Sequence, residues 1–182
     1  MLVKAHDDYM RTVSSTYDEV LNEVSDRIAA SGSIGKLDIG ALVVWKRLRA
    51  DTPWASALMA KSERDVRSVT AVAVSAVRDH ELSTAEAAGQ GRDALLKLPG
   101  FGSGPALASA LLTAAAPTRM AVYDQRACRG LAQLGLELTG WKNRYRRYIE
   151  HVEALRAFAL NRGTEWTARD VDVALYWLGG RQ

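Results

Sequence analysis

Apolar residues in this chain recur at three- and four-residue steps over most of its length, and this spacing is the strongest constraint on the fold. Over residues 7–30 they would form one face of a single amphipathic helix. Proline is scarce, with four in 182 residues, and no pair of segments has the alternation expected of a strand hairpin. The sequence therefore predicts an all-α protein.

The same spacing, together with capping residues, predicts the later helices. Ser62 and Ser83 stand where helix N-caps belong, and Asp124 has the same relation to the residues that follow it. Asp51-Thr52-Pro53 is predicted to be a turn, with Pro53 opening a short helix. The predicted helices cover residues 7–30, 36–49, 62–80, 92–98, 106–115, 124–134, 142–161 and 167–178.

A glycine-rich interruption, Leu98–Pro105, separates two of these helices. Gly100, Gly102 and Gly104 alternate within it, and a helix of small residues follows. Glycine permits positive φ and close approach of another backbone, and the amides that open the next helix offer donors to an anion. The turn therefore favours phosphate binding, although a plain interhelical turn with glycine caps would use the same residues.

Two other phosphate-binding motifs are excluded at this turn. A dinucleotide fingerprint needs a strand before its glycines, whereas a helical segment precedes them here. A Walker loop needs Gly-Lys-Ser or Gly-Lys-Thr, and the turn contains neither.

Charge is distributed unevenly along the chain, although the net formal charge is only +3. Basic residues concentrate at Lys46–Arg49, Arg119–Arg129 and Lys142–Arg147, and two of these clusters adjoin predicted turns, where a phosphate backbone could be met. Solvated helix faces are the alternative explanation for each cluster. The longest apolar runs, such as Val69–Val77, are too short to span a membrane, and the N-terminus has no apolar signal core. We therefore expect a cytoplasmic, nucleoid-associated protein.

Leu98-Pro99-Gly100-Phe101-Gly102, followed by a helix of small residues, resembles the hairpin of the helix-hairpin-helix superfamily of DNA glycosylases. In that family the hairpin grips the phosphate backbone through its amides, and an aspartate follows at the mouth of the active site, at the start of a helix. Asp124, in Ala121-Val122-Tyr123-Asp124-Gln125-Arg126, stands at the matching position. The resemblance implies two helical lobes with an intervening cleft, a helix-hairpin-helix element at about 92–115, and double-stranded DNA as the partner.

The resemblance assigns the chemistry to Asp124. Cleaving an N-glycosidic bond builds positive charge on the deoxyribose, and a fixed carboxylate beside C1′ stabilises that charge or directs a water to it. The base must first leave the helical stack and enter a pocket. Trp45 and Tyr123 are the predicted pocket residues, and Trp54 is a further stacking candidate. Core packing would explain Trp45 equally well, and Asp124 would also serve as a helix N-cap. The residues expected to contact DNA are Gly100, Phe101, Gly102, Ser103, Gly104, Lys46 and Arg126.

Gly104 marks the main departure from the family pattern. Many members carry at this position a lysine that attacks the sugar, forms a Schiff base and enables strand cleavage. Glycine offers no amine and Lys97 precedes the turn, so we expect a monofunctional enzyme that removes the base and leaves the strand intact. The same difference fits an alternative function, a helix-hairpin-helix protein that binds DNA without chemistry. A third reading is a helical interaction protein whose glycine turn is only structural.

The single cysteine, Cys128, limits the cofactors. One thiolate cannot hold the iron–sulfur cluster of some relatives or a four-cysteine zinc site. We expect no cofactor and no metal, apart from a monovalent cation that the hairpin could hold. The length is that of one domain, expected to span residues 1–182 as a monomer.

Overall fold

A computed structural model of the protein describes residues 1–50 and 53–180. The regular elements in this part of the chain are ten α-helices and one 3-10 turn at Ser15–Asp18, which confirms the all-α prediction. None of these helices is long and apolar enough to cross a lipid bilayer. The helices are α1 (Leu2–Thr12), α2 (Glu19–Ser31), α3 (Lys36–Trp45), α4 (Pro53–Met59), α5 (Glu63–Arg78), α6 (Thr84–Leu95), α7 (Ala106–Ala115), α8 (Gln125–Gln133), α9 (Arg144–Leu160) and α10 (Ala168–Gly180).

The first helical stretch is broken, so the prediction of one helix over residues 7–30 is wrong. Val13 is extended, and the Ser14 side chain accepts a hydrogen bond from the Thr16 amide at 3.2 Å to start the 3-10 turn. Serine and threonine side chains bond nearby backbone in this way and so compete with a continuous helix. The break lets α1 pack on α10 while α2 packs on α3 and α7. It also leaves Asp18 at the junction between them.

The second predicted helix also ends early, at Trp45 rather than at residue 49. Arg47 adopts a left-handed conformation with φ 54°, which is incompatible with helix continuation. Of the predicted turn Asp51-Thr52-Pro53, Asp51 and Thr52 lie outside the described residues, and Pro53 begins α4 as expected.

The small-residue helix α7 lies at the centre of the core. All of its residues from Leu107 to Ala115 are buried, and α2, α3, α5 and α6 pack against it. Small side chains let these helices approach closely while each buries its apolar face. α6 begins well before the predicted residue 92, because Ser83 and Glu86 form a capping box at its start.

α8 and α10 cross in direct backbone contact at Gly130 and Gly179. A Cβ atom at Gly130 would lie 3.0 Å from the carbonyl carbon of Leu175, and one at Gly179 would lie 2.6 Å from the amide nitrogen of Gly130. Only glycine allows so close an approach. Because Asp124 caps α8 and Asp172 lies in α10, this crossing fixes the two carboxylates relative to each other.

Candidate active site

Asp124 directly follows a short extended segment, residues 120–123, and buried side chains hold this segment in place. The Ser109 hydroxyl of α7 accepts a hydrogen bond from the last amide of this segment at 2.9 Å. The hydroxyls of Tyr145 and Tyr148 in α9 donate to two of its carbonyls, at 3.0 Å each. Burial raises the pKa of both tyrosines, which keeps them protonated as donors. The backbone that presents Asp124 is therefore fixed by two helices.

Both carboxylate oxygens of Asp124 have partners. Oδ1 accepts from the Ala127 amide at 2.7 Å, so the predicted N-cap role is confirmed. Oδ2 accepts from Nζ of Lys46 at 2.5 Å, and the two side chains are only 16% and 14% exposed. Lys46 follows the last residue of α3, whereas the exposed Lys97 lies just before the glycine turn. A largely buried ion pair is screened little by salt, so Lys46 holds Asp124 firmly in the free protein.

An open cavity of about 290 Å³ adjoins this ion pair, and both charged side chains line it. Its volume lies just below the usual range for small-molecule sites, roughly 300–1,000 Å³. It therefore suits one flat ring system better than a large ligand. Rings from α1, the 3-10 turn, α3 and α10 contribute to its walls, namely Tyr9, Tyr17, Trp45, Tyr176 and Trp177.

Arg169 of α10 links two further carboxylates beside this cavity. It donates to Asp18 from Nε at 3.3 Å and from Nη2 at 3.0 Å, and it also donates to Oδ2 of Asp172. Its guanidinium lies 5.3 Å from the ring of Trp45, whose Nε1 donates to Asp18 at 3.2 Å. Two carboxylates share one guanidinium, so this cluster carries a net charge of −1 when all three groups are ionised.

Asp172 and Arg169 of this cluster, and the nearby Tyr9, have perturbed pKa values. Burial raises the pKa of Asp172 to about 6, although Arg169 and Lys46 act to lower it. Burial acts to lower the pKa of Arg169, but the carboxylates of Asp172 and Asp18 outweigh it and raise that pKa. Burial also raises the pKa of Tyr9 to about 12. Perturbed groups that line a cavity are typical of functional sites.

The Leu98–Pro105 turn joins α6 to α7. Gly100 and Gly104 have φ values of 94° and 141°, which favour glycine. The ring of Trp54 fills the space beside Gly100, where a Cβ atom would lie 2.5 Å from it. Gly102 is exposed, and a Cβ atom there would meet nothing within 4 Å. The tip of the turn is thus open, while its first glycine is packed.

One segment, Lys46–Arg49, connects the turn with the cavity. Its first two residues line the cavity beside Asp124, and its last two line a depression of about 140 Å³ together with residues of the turn. Another face of the turn borders an open depression of about 360 Å³, which Arg92, Trp141 and Arg144 also line. The turn therefore lies between a basic and aromatic surface and the segment that reaches Asp124.

Several side chains of the basic clusters, for which phosphate contact and a solvated helix face were the two alternatives, bind backbone carbonyls. Arg119 donates to three carbonyls at the end of α5 and in the loop after it, at 2.7–3.0 Å. Arg144 and Arg147 donate to carbonyls of the loop before α9. Arg126, by contrast, lines the cavity and donates to the hydroxyl of Tyr176 at 2.7 Å. Much of the positive charge in these clusters therefore holds loops in place.

Three of the four predicted aromatic site residues lie away from the cavity lining. The ring of Tyr123 packs edge-on against Tyr148, with centroids 5.4 Å apart, and its hydroxyl accepts from Nε of Arg144 at 2.6 Å. Trp54 packs on the glycine turn. The side chain of Phe101 is fully buried in the core, so only its backbone could meet DNA.

The sequence reasoning missed Tyr9, Arg169, Asp172 and Tyr176. A signal for Asp172 is present, since this acid interrupts an apolar run over residues 171–175 and lies one helical turn after Arg169. An acid on a buried helix face is almost never left unpaired. The predicted residues that the structure does bring together at the cavity are Asp124, Lys46, Arg126 and Trp45.

Two further observations bear on cofactors. Within the described ranges, no three His, Cys, Asp or Glu side chains are grouped closely enough to hold a metal ion. Burial raises the pKa of the Cys128 thiol, which lowers its thiolate population.

Comparison of the chain with protein-family models, with curated proteins and with solved structures finds no match. Function is therefore inferred from the site itself.

Proposed function

We propose that the protein is a monofunctional DNA N-glycosylase of the helix-hairpin-helix class, which hydrolyses the bond between a flipped damaged or modified base and its deoxyribose. The observation that carries this proposal is the Asp124 carboxylate, fixed by an amide and a lysine, beside an aromatic cavity that suits one ring system. Base excision needs these two parts next to each other, because the extruded base requires a pocket and the sugar requires a fixed negative charge.

In the proposed reaction the base enters the cavity and packs against rings such as Trp45 and Tyr176, which leaves C1′ near Asp124. The glycosidic bond breaks, and its electron pair leaves with the base. Asp124 stabilises the cationic sugar. A water oxygen then bonds to C1′, and its proton passes to Asp124. No strand break is part of this proposed reaction, because Gly104 supplies no amine at the turn and Nζ of Lys46 is proposed to turn to a phosphate or to the base rather than to C1′.

The glycine turn would hold the duplex. The first-turn amides of α7 lack acceptors within the helix and would suit a phosphate, and the exposed Gly102 leaves the tip of the turn open to it. Lys46–Arg49 runs from the turn to Asp124, so its positive charge would follow the backbone of the flipped nucleotide. In this proposal α6, the turn and α7 form the helix-hairpin-helix element, and the cavity belongs to a cleft between two lobes.

One observation favours a second candidate, DNA binding without catalysis. In the free protein Lys46 neutralises Asp124 at 2.5 Å, and a neutralised carboxylate stabilises a sugar cation poorly. Catalysis therefore requires Nζ of Lys46 to move to a phosphate or to the base when DNA binds. If Lys46 does not move, Asp124 remains a helix cap.

The test uses a panel of duplexes, each with one lesion, followed by alkali cleavage of abasic sites. Asn caps a helix as well as Asp does, so Asp124→Asn should keep the start of α8 and bind DNA. It also removes the ion-pair partner of the largely buried Lys46, which costs stability, so circular dichroism must first show that the variant is folded at the assay temperature. It should lose roughly a hundredfold or more in excision rate, because one well-aimed electrostatic group is worth about 3 kcal/mol. The matched control is Asp26→Asn, an exposed acid on α2 that should leave excision unchanged.

Two outcomes would contradict the proposal. Salt-sensitive DNA binding without excision of any lesion would support the binding-only candidate. A complex trapped by borohydride would mean that an amine attacks the sugar, and loss of trapping in Lys46→Met but not in Lys97→Met would assign the attack to Lys46.

A further inference from the structure

Asp172 is a buried carboxylate that the proposed reaction does not use. It lies in the middle of α10, is 2% exposed and lines the cavity together with Asp124. An ionised carboxylate in such a position loses its hydration and destabilises the fold unless donors replace the water. Its surroundings therefore decide what it can bind.

The hydrogen bonds of Asp172 are incomplete. Oδ2 accepts from Arg169, whose remaining donors turn toward Asp18. Among the described residues, Oδ1 accepts no hydrogen bond from any donor. A carboxylate has about four acceptor positions, so Asp172 offers several of them to whatever enters the cavity.

The charges that face the cavity limit the kind of occupant. Lys46, Arg47, Arg126 and Arg169 line it on the positive side, and Asp124 and Asp172 on the negative side. Asp18 shares the guanidinium of Arg169, so four positive charges exceed three negative charges by one. A cationic ligand would be repelled by this excess. A neutral, flat ring with N–H donors matches both the aromatic walls and the open acceptors.

We propose that Asp172 selects the base, and that the substrate class is a guanine derivative that keeps its N1–H and 2-amino groups. This inference rests on the proposed function, since only a flipped nucleotide would bring a base into the cavity. In it, the two carboxylate oxygens of Asp172 accept from the two adjacent donors on the Watson–Crick edge of the base. The base packs against Trp45 and Tyr176, and its sugar remains at Asp124.

The other bases do not offer this pattern. Adenine and cytosine each place a ring-nitrogen acceptor beside a single amino donor, and that acceptor would face a carboxylate oxygen. Thymine and uracil place one N–H between two carbonyl oxygens, with the same repulsion. Sites that pair polar groups with a substrate reject analogues that leave those groups unpaired. An ionised Asp172 therefore favours a guanine-type edge over every other base.

The experiment measures binding rather than turnover, so that it does not depend on catalysis. Duplexes carry one 2′-fluorinated nucleotide, which resists cleavage, with a neutral base, either 8-oxoguanine or guanine. The matched ligands carry the corresponding hypoxanthine base, which lacks only the 2-amino group. Equilibrium affinities at one fixed salt concentration are measured for the parent protein, for Asp172→Asn and for the control Asp26→Asn.

We expect the parent protein to bind at least one guanine-type duplex about tenfold or more tightly than its hypoxanthine counterpart, since a good bidentate pair gives discrimination of this order. Asp172→Asn should bring this ratio close to one, and Asp26→Asn should keep it. Equal affinities for the matched duplexes in the parent protein would overturn the proposal, whether or not Asp172→Asn folds. So would an unchanged ratio in a folded Asp172→Asn protein. Selective binding without excision of the unmodified lesions would refute the glycosylase proposal and leave base selection by Asp172 standing.

Discussion

The crossing of α8 and α10 allows a sharp test of the fold, because the same substitution should have opposite effects at two glycines. Gly130 lies where the two helices touch. A Cβ atom there would lie 3.0 Å and 3.1 Å from the carbonyl carbon and Cα of Leu175, and closer still to its carbonyl oxygen. Gly40 lies on an exposed face of α3, where an added Cβ atom meets nothing within 4 Å. The matched variants are Gly130→Ala and Gly40→Ala.

The magnitudes follow from these surroundings. Overpacking a core costs about 1–3 kcal/mol, and the neighbours of Gly130 are backbone atoms that cannot rotate away, so we expect the upper end. Alanine has a better helix propensity than glycine, and this offsets about 0.5–1 kcal/mol of the overpacking cost. The net loss is about 2 kcal/mol, which corresponds to a fall in Tm of roughly 4–8 °C for a chain of this size. Gly40→Ala keeps only the propensity gain and should raise Tm by a few degrees.

Thermal and urea unfolding of the two variants, followed by circular dichroism, provides the measurement. Gly130→Ala should also weaken any activity at the cavity, because the spread helices would separate Asp124 from Asp172. A Gly130→Ala protein as stable as Gly40→Ala would show that α8 and α10 are not in backbone contact, and the relative placement of the two carboxylates would then be wrong.

Three further predictions concern stability and DNA binding. The pKa of Asp172 is raised to about 6, so the folded state binds a proton more tightly than the unfolded state between about pH 4 and 6. The parent should therefore lose stability relative to Asp172→Asn as the pH rises through this window, by about 3 kcal/mol for a shift of about two pKa units. Equal pH profiles in urea titrations would contradict this. Gly102→Val should leave Tm unchanged and weaken binding to duplexes of all sequences alike, and unweakened duplex binding would refute the phosphate contact. Its matched variant, Gly100→Ala, should lower the free energy of unfolding by about 1–3 kcal/mol, because its Cβ would meet a tryptophan ring. Arg119→Ala should lower the free energy of unfolding by about 2–3 kcal/mol, because it leaves three carbonyls unpaired. The exposed control Arg11→Ala should change this free energy by no more than about 0.5 kcal/mol.

The helices that the sequence located well are those with a local start signal. Ser62 and Asp124 each accept a hydrogen bond from a first-turn amide, and both helices begin directly after them. The break after Thr12 was missed because apolar spacing continues across it, although the Ser14-Ser15-Thr16 triplet is a local signal for a turn. Periodicity reports which face is apolar, and it does not report where the chain changes direction.

The candidate site was harder to predict, because its parts are far apart in the sequence. Lys46 and Asp124 are neighbours only through tertiary packing, and nothing near Gly104 indicates that an amine from α3 would reach the aspartate. The basic clusters were misleading for a related reason. A sequence shows that Arg119 and Arg147 are charged, but only the folded loops show that backbone carbonyls already occupy their donors.

The buried charges beside the cavity link the fold to its proposed chemistry. For stability alone, apolar residues in place of both Asp172 and Arg169 would serve as well or better, since a buried ion pair rarely exceeds a hydrophobic contact in net effect. Burial raises the pKa of this carboxyl, and the hydrogen bond from Arg169 does not offset that effect. A ligand with two N–H groups would supply further donors, and it would lower the same pKa when it binds, because hydrogen bonds to the ionised form favour that form. Binding of a guanine-type base should therefore be coupled to release of a proton near pH 6. The feature that destabilises the free protein is thus the one that would let it distinguish one base from another.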